Sequence, residues 1–327
     1  MENPTEIRWG IIGCGDVCEV KSAPAMNKIP GSRLVAVMRR DASKAADYAE
    51  RHQVPKWYSD AEELINDPEV NAIYIATPPS SHATYTAMAA AAGKPIYVEK
   101  PMARTFQECE EMIAVCEKFK VPLFVAYYRR TLPQFLKVKE LLASQVLGDI
   151  RLINLELYQS IEPDIVRGLD NNWRVDPSVA GGGFFYDLAS HQLDYLDYLL
   201  GPISQAQGFR ANQAGLYDAE DIVNANWVFE NGVMGTGSWC FTVGAPSVKE
   251  EARIIGEKGQ LTFHFFTSSK VVLETADGKE EFDFTMPKHI QQPLIEQIVA
   301  ELQGRGESPS TGKSAARTNW VMDQICS

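Results

Sequence analysis

Two short segments hold the residue types needed to move a proton on and off a hydroxyl group. The first is Tyr97-Val98-Glu99-Lys100-Pro101, where a lysine precedes a proline. A Lys-Pro bond adopts the cis form at modest cost, which turns the lysine side chain toward a cleft. The second begins at Gly181-Gly182-Gly183 and continues through Asp187, His191 and Asp194. On a helix, Asp187 and His191 are i and i+4 and share a face. A histidine titrates near neutral pH and suits the removal of a hydroxyl proton, while a lysine ammonium stabilises the developing alkoxide or relays the proton. A carboxylate one turn away fixes the ring. Two other readings stay open from these residues alone: His191 as an ordinary packed histidine, and Asp187/His191 as a metal pair, for which Asp194 is the only further ligand at helical spacing.

Up to residue 126, short apolar, β-branched runs (7–12, 33–38, 70–76, 95–99, 122–126) alternate with segments of helical spacing (42–53, 61–66, 85–92, 106–119). Unalternated apolar runs mark parallel strands covered on both faces, and the strand–helix rhythm implies right-handed crossovers and a doubly wound sheet. Lys100 then falls at the carboxyl edge of that sheet, where open α/β sheets bind ligands. Beyond a helix at 133–143 the pattern becomes that of hairpins: strands at 150–160, 222–229, 233–241, 260–265, 270–275 and 281–285, with Gly-containing turns at Gly232 and Gly278. Helices are expected at 184–200, 291–302 and 315–325.

The first run ends in Gly13-Cys14-Gly15, followed by Asp16 and Val17 at the start of a helix. Glycines here permit a tight turn and let backbone N–H groups approach a dinucleotide pyrophosphate. Cys18 stands where a third glycine is usual, and an ordinary turn is the alternative. The second run ends Met38-Arg39-Arg40-Asp41. An acid at its tip would hold the ribose of NAD, whereas an arginine pairs with the 2′-phosphate of NADP. Asp41 reads as the N-cap of the next helix. Arg39 and Arg40 as plain solvated charges remain a further possibility.

The length of 327 residues exceeds one typical core. Domains are expected at 1–126 and 127–327, the C-terminal helix being able to pack back on the first. A net charge of −12 opposes nucleic-acid or anionic-membrane partners. No apolar run nears the ~18 residues that span a bilayer, and the N-terminus lacks a secretory pattern, so a cytoplasmic enzyme is expected. The six cysteines, at 14, 18, 109, 116, 240 and 326, form no CxxC pair, which fits reduced thiols and no metal.

Together, the Gly13–Gly15 loop, Glu99-Lys100-Pro101 and Gly-Gly-Gly-x-x-x-Asp-x-x-x-His-x-x-Asp, in that order, resemble the glucose–fructose oxidoreductase/inositol dehydrogenase/MocA (Gfo/Idh/MocA) family over nearly the whole chain. The resemblance implies a Rossmann domain followed by an α+β domain with an open, mainly antiparallel sheet, often used for oligomer contacts. It puts the catalytic lysine at Lys100, the aspartate at Asp187 and the histidine at His191. NAD-using members commonly carry Asp where Arg39 stands, which supports NADP, with NAD the lesser expectation. The stretch 38–41 is similar to that of NADP-dependent dihydrodiol dehydrogenases and sugar-ketone reductases. Thr77-Pro78-Pro79-Ser80-Ser81-His82 resembles the family's cofactor loop, with backbone groups and His82 near the ribose; a plain turn is the alternative. Glu99 and Lys100 join the expected cofactor set. Tyr127 and Arg129 or Arg130 are candidates for substrate or cofactor contact, and Trp173-Arg174 for the wall of a sugar site. Trp227, Trp239 and 263–266 read as core. The expectation is an NADP(H)-dependent oxidoreductase of a sugar, polyol, cyclitol or vicinal diol, forming a homodimer or homotetramer through its C-terminal sheet. Specificity is assigned to the loop 161–180. A redox-neutral glycosidase-type enzyme with tightly held dinucleotide, a non-catalytic dinucleotide sensor and an unrelated two-domain Rossmann protein are the alternatives.

Overall fold

The computed structural model describes residues 4–161 and 172–327. It divides into two compact units, Met1–Thr131 with Pro287–Ala316, and Leu132–Met286 with Arg317–Ser327. Residues 162–171 of the expected specificity loop lie outside the described residues.

The first unit is built on a six-stranded sheet of order β3-β2-β1-β4-β5-β6. Its strands are β1 (Ile7–Ile12), β2 (Ser32–Met38), β3 (Lys56–Tyr58), β4 (Ala72–Ile75), β5 (Ile96–Val98) and β6 (Leu123–Val125), all paired in parallel. Burial explains the unbroken apolar runs: every residue of β4, β5 and β6 is buried, because helices cover both faces. The strand order reverses between β1 and β4, which makes the carboxyl ends of those strands the switch point where such sheets bind ligands. Strand β3 escaped the sequence reading, since its Lys-Trp-Tyr is short and partly exposed at the sheet's edge. Asp41 caps helix Ala42–His52, accepting from the N–H groups of Ser43 and Lys44. The returning segment Pro287–Ala316 is fastened by Ser310, whose Oγ donates to Val125 O at 2.7 Å, and by Arg130, which donates to Pro309 O and to Ser314 Oγ.

The second unit carries an eight-stranded sheet of order β14-β13-β12-β11-β7-β10-β9-β8. Its strands are β7 (Ile150–Tyr158), β8 (Ile203–Ala211), β9 (Ile222–Phe229), β10 (Met234–Cys240), β11 (Lys249–Gly256), β12 (Gly259–Phe263), β13 (Lys270–Thr275) and β14 (Gly278–Asp283). All pairs are antiparallel except β7 with β10. Alternation buries one face: in β9, Val223, Ala225, Trp227 and Phe229 point inward. The Ser190–Leu200 helix lies on that face, where Trp239 Nε1 donates to Gln192 Oε1 at 2.6 Å. The opposite face is open, with Phe209 86% and Met234 59% exposed. The sequence gives no sign of β8 because most of its positions are exposed, nor of β11 because a charged residue, Glu250, takes one of its buried positions.

Candidate active site

In the first unit the coenzyme candidates gather at the carboxyl ends of β1, β2, β4 and β5. Gly13 has φ +89°, and a Cβ there would lie 2.6 Å from Thr77 Cγ2, so glycine lets the β1 loop nest against the β4 loop. Gly15 differs: it precedes helix Asp16–Val20, and an added Cβ would meet nothing nearer than Gly13 O at 3.8 Å. That open space beside backbone N–H groups fits a pyrophosphate. Cys18, in the third glycine's place, is buried, and burial pushes its thiol well above the usual range, which makes it an inert packing residue. Asp16 is exposed and Val17 half-buried.

Arg39 is half-buried and its Nη1 donates to Cys14 O at 3.4 Å, while Arg40 is exposed. The tip of β2 therefore places a guanidinium against the glycine loop. Thr77 and Pro78 are half-buried; His82 is fully buried. The two ring nitrogens of His82 lie 2.8 Å from Thr77 O and 3.1 Å from Met102 O. Burial lowers its pKa, and the ring sits between the β4 loop and the segment after Lys100. The geometry favours a loop-shaping role for His82 over direct ribose contact.

Lys100 is half-buried at the end of β5, and the Lys100–Pro101 peptide is cis. Glu99 is 7% exposed and held internally: its Oε1 accepts from Tyr74 Oη at 2.5 Å and Gln291 Nε2 at 2.7 Å. Tyr127 and Arg129 are buried, and the Arg129 guanidinium stacks over the Tyr128 ring at 5.2 Å.

In the second unit, Asp187 lies in a π-helical turn, Phe185–Ala189, which runs into the α-helix Ser190–Leu200 that begins one residue before His191. The spacing predicts a helix over 184–200; the wider turn departs from it. Such turns recur at functional sites because they re-aim side chains. Glycine makes the approach possible: a Cβ on Gly182 would lie 2.3 Å from the Tyr186 ring. Asp187 Oδ2 is 3.2 Å from Arg174 Nε, and the Arg174 guanidinium stacks over Trp173 at 4.5 Å. His191 is 4% exposed and meets Phe266 edge-on at 6.1 Å. Asp194 is buried and accepts from Thr318 Oγ1 at 3.3 Å. The spacing brought out Asp187 and His191; it gave no sign of the Phe266 contact, made from a distant turn.

That turn is held by Glu250, a buried carboxylate accepting from the N–H groups of Phe265, Phe266 and Thr267. Burial alone raises its pKa, but hydrogen bonds from His264, those N–H groups and Thr267 outweigh burial and hold it low. His264 is raised, chiefly by the bond to Glu250. A depressed carboxyl stabilises the fold above its unfolded value of about 4.3, and a raised histidine does so below about 6.5. The melting-temperature gap between the parent and Glu250→Gln should therefore be widest between about pH 4.5 and 6.5. It should narrow as acid protonates Glu250 and as base deprotonates His264. Thermal melts across pH check this, and a pH-independent gap would remove the ion pair from the account.

Among the described residues, no group of three His, Cys, Asp or Glu is arranged to hold a metal ion, and no helix is long and apolar enough to cross a membrane.

The model of the GFO_IDH_MocA oxidoreductase family, NAD-binding Rossmann fold, matches residues 7–127. The GFO/IDH/MocA C-terminal domain matches residues 135–262. Oxidoreductase P35 of Formosa agariphila is 39% identical over 98% of this chain and 99% of its own. The 1,5-anhydro-D-fructose reductase of Ensifer adhaerens is 26% identical over 94% of this chain and 91% of its own. Among solved structures, levoglucosan dehydrogenase in complex with NADH and levoglucosan superposes with a TM-score of 0.85 at 21% identity, covering 98% of this chain and 96% of that one.

Proposed function

The chain belongs to the Gfo/Idh/MocA oxidoreductase family, and from that premise we propose that it is an NADP(H)-dependent oxidoreductase of a sugar, polyol, cyclitol or vicinal diol. The observation that carries the coenzyme choice is Arg39, whose guanidinium rests against the Gly13–Gly15 loop at the tip of β2. The names of relatives, an anhydrosugar reductase among them, support the substrate class.

When bound, the nicotinamide supplies the hydride donor or acceptor. The residues of the chain do the rest. Gly13, Gly15, Asp16 and Val17 frame the pyrophosphate, Arg39 and Arg40 hold the 2′-phosphate, and the Thr77–Pro78 loop, shaped by His82, borders the ribose. Glu99 acts from behind, through Lys100. In oxidation, His191 takes the hydroxyl proton while the Lys100 ammonium donates to the same oxygen and stabilises its growing charge. Asp187, one turn before His191 on the same helical segment, would orient the histidine, and its bond to Arg174 fixes Asp187 in turn. Trp173 offers an aromatic face to sugar C–H groups; Tyr127 and Arg129 are buried and would act through the residues packed on them. Reduction of a ketone runs the same proton path backwards.

Initial rates with NADP and NAD side by side, over glucose, sorbitol, myo-inositol and trans-1,2-cyclohexanediol, test the proposal. A sustained rise in 340 nm absorbance with NADP is expected. A clear preference for NAD would sink the argument from Arg39, and a single stoichiometric turnover of bound coenzyme would favour the redox-neutral reading.

The open face of the second sheet supports assembly. Phe209, Met234 and Leu152, all exposed, share it with a polar depression of about 480 Å³ whose lining includes Asn154, Asn224 and Ser238. Apolar side chains left exposed on a flat face mark an interface between copies. Phe209→Asp with Met234→Asp should convert a dimer or tetramer to monomer in light scattering; an unchanged mass would place the interface elsewhere.

A further inference from the structure

We propose that Gln291 is a positioning residue for Lys100, acting through the Glu99 carboxylate. The inference rests on the reading of Lys100 as the group that touches the reacting oxygen.

Glu99 and Lys100 are neighbours in the chain, and their backbone and side chain are also bonded: the Lys100 N–H donates to Glu99 Oε2 at 3.2 Å. Whatever fixes the Glu99 carboxylate therefore fixes the peptide that carries Lys100. Two donors do so, Tyr74 Oη at 2.5 Å and Gln291 Nε2 at 2.7 Å, both onto Oε1. Gln291 is fully buried. The other end of its amide is used too, since Oε1 accepts from Tyr97 Oη at 2.8 Å. Its backbone N–H donates to Lys21 O at 3.1 Å. Tyr74 and Tyr97 are stacked at 4.8 Å and 21°, and burial drives both hydroxyls far above their usual range, so they remain donors at any working pH.

The network needs a donor and an acceptor on one side chain, which the carboxamide of a glutamine supplies. A glutamate at 291 would set two carboxylates against each other; a methionine would fill the space and leave Tyr97 Oη and Glu99 each short of a partner. Because Gln291 arrives with the returning segment Pro287–Ala316, a residue near the end of the chain grips the loop that presents the lysine. A displacement of about 1 Å at a reacting group can cost about 10²-fold in rate, so partial loosening should be visible.

The test compares Gln291→Met, Tyr97→Phe and Lys100→Ala in the full chain, with active sites titrated by NADPH fluorescence. Gln291→Met should lower kcat about tenfold, leave KM for NADP within about twofold and raise the primary deuterium isotope effect on kcat, as the hydride step becomes limiting. Tyr97→Phe, which keeps the ring stack and removes one hydroxyl, should do the same to a smaller degree and covers the case in which Gln291→Met does not fold. A lower melting temperature with kcat and isotope effect unchanged would show a structural role only and overturn the proposal. A readout apart from turnover is the ¹³C-methyl resonance of dimethylated Lys100, identified by its loss in Lys100→Ala. Its shift in Gln291→Met supports positioning, and an unmoved resonance overturns it. If Lys100→Ala keeps full turnover while that resonance still moves, positioning stands and the catalytic reading of Lys100 falls.

Discussion

Lys100→Ala should lower kcat by about 10²–10⁴-fold, the range that positioned acid–base groups contribute. In the proposed reading the ends of β1 and β2 hold most of the coenzyme and Lys100 only borders it, so binding of NADPH followed by fluorescence should weaken far less than turnover. That division matters. A variant that binds coenzyme normally and turns over slowly has lost an interaction made in the transition state; one that loses both has lost its loop. Lys100→Arg retains the charge but not the compact point donor, and should recover only a small part of the rate. Near-normal turnover in Lys100→Ala would remove the lysine from the mechanism and leave His191 as the sole proton-transfer group.

Arg39→Asp should invert coenzyme choice. A charge-assisted pair with a 2′-phosphate is worth roughly 1.5–3 kcal/mol, so kcat/KM for NADP should fall about 10²-fold once the guanidinium is gone and a carboxylate faces the phosphate. The same carboxylate can accept from the ribose hydroxyls of NAD, so kcat/KM for NAD should rise. Arg39 also donates to Cys14 O; Arg39→Ala, which loses that bond without adding a charge, separates the two contributions. If Arg39→Ala and Arg39→Asp affect NADP and NAD equally, the arginine shapes the loop and does not choose the coenzyme.

Much of the fold was legible because its signals are local. Strand β1 at 7–12, helix Ala61–Asn66 and helix Phe106–Phe119 fall where apolar runs and helical spacing put them, and the cap at Asp41 followed from residue type alone. The missed elements share a cause. Strand β3 has three residues, and β8 is exposed at all but a few positions, so neither leaves an apolar pattern. The π-turn at Phe185–Ala189 was also invisible: one widened turn leaves i, i+4 spacing nearly intact in the sequence while changing the backbone path.

The sequence by itself determined the family, the two sheet types and the small set of chemically competent residues, Lys100, Asp187 and His191 among them, because composition, period and motif order are properties of neighbours along the chain. Only the tertiary structure decided what those residues lean on. Gln291 stands 192 residues from the Glu99 it binds, Arg174 and Phe266 hold Asp187 and His191 from separate segments, and His82 turned out to be buried between two loops. Buried polar groups must find partners wherever the fold brings them, and that pairing is a matter of distance in space, on which spacing along the chain is silent.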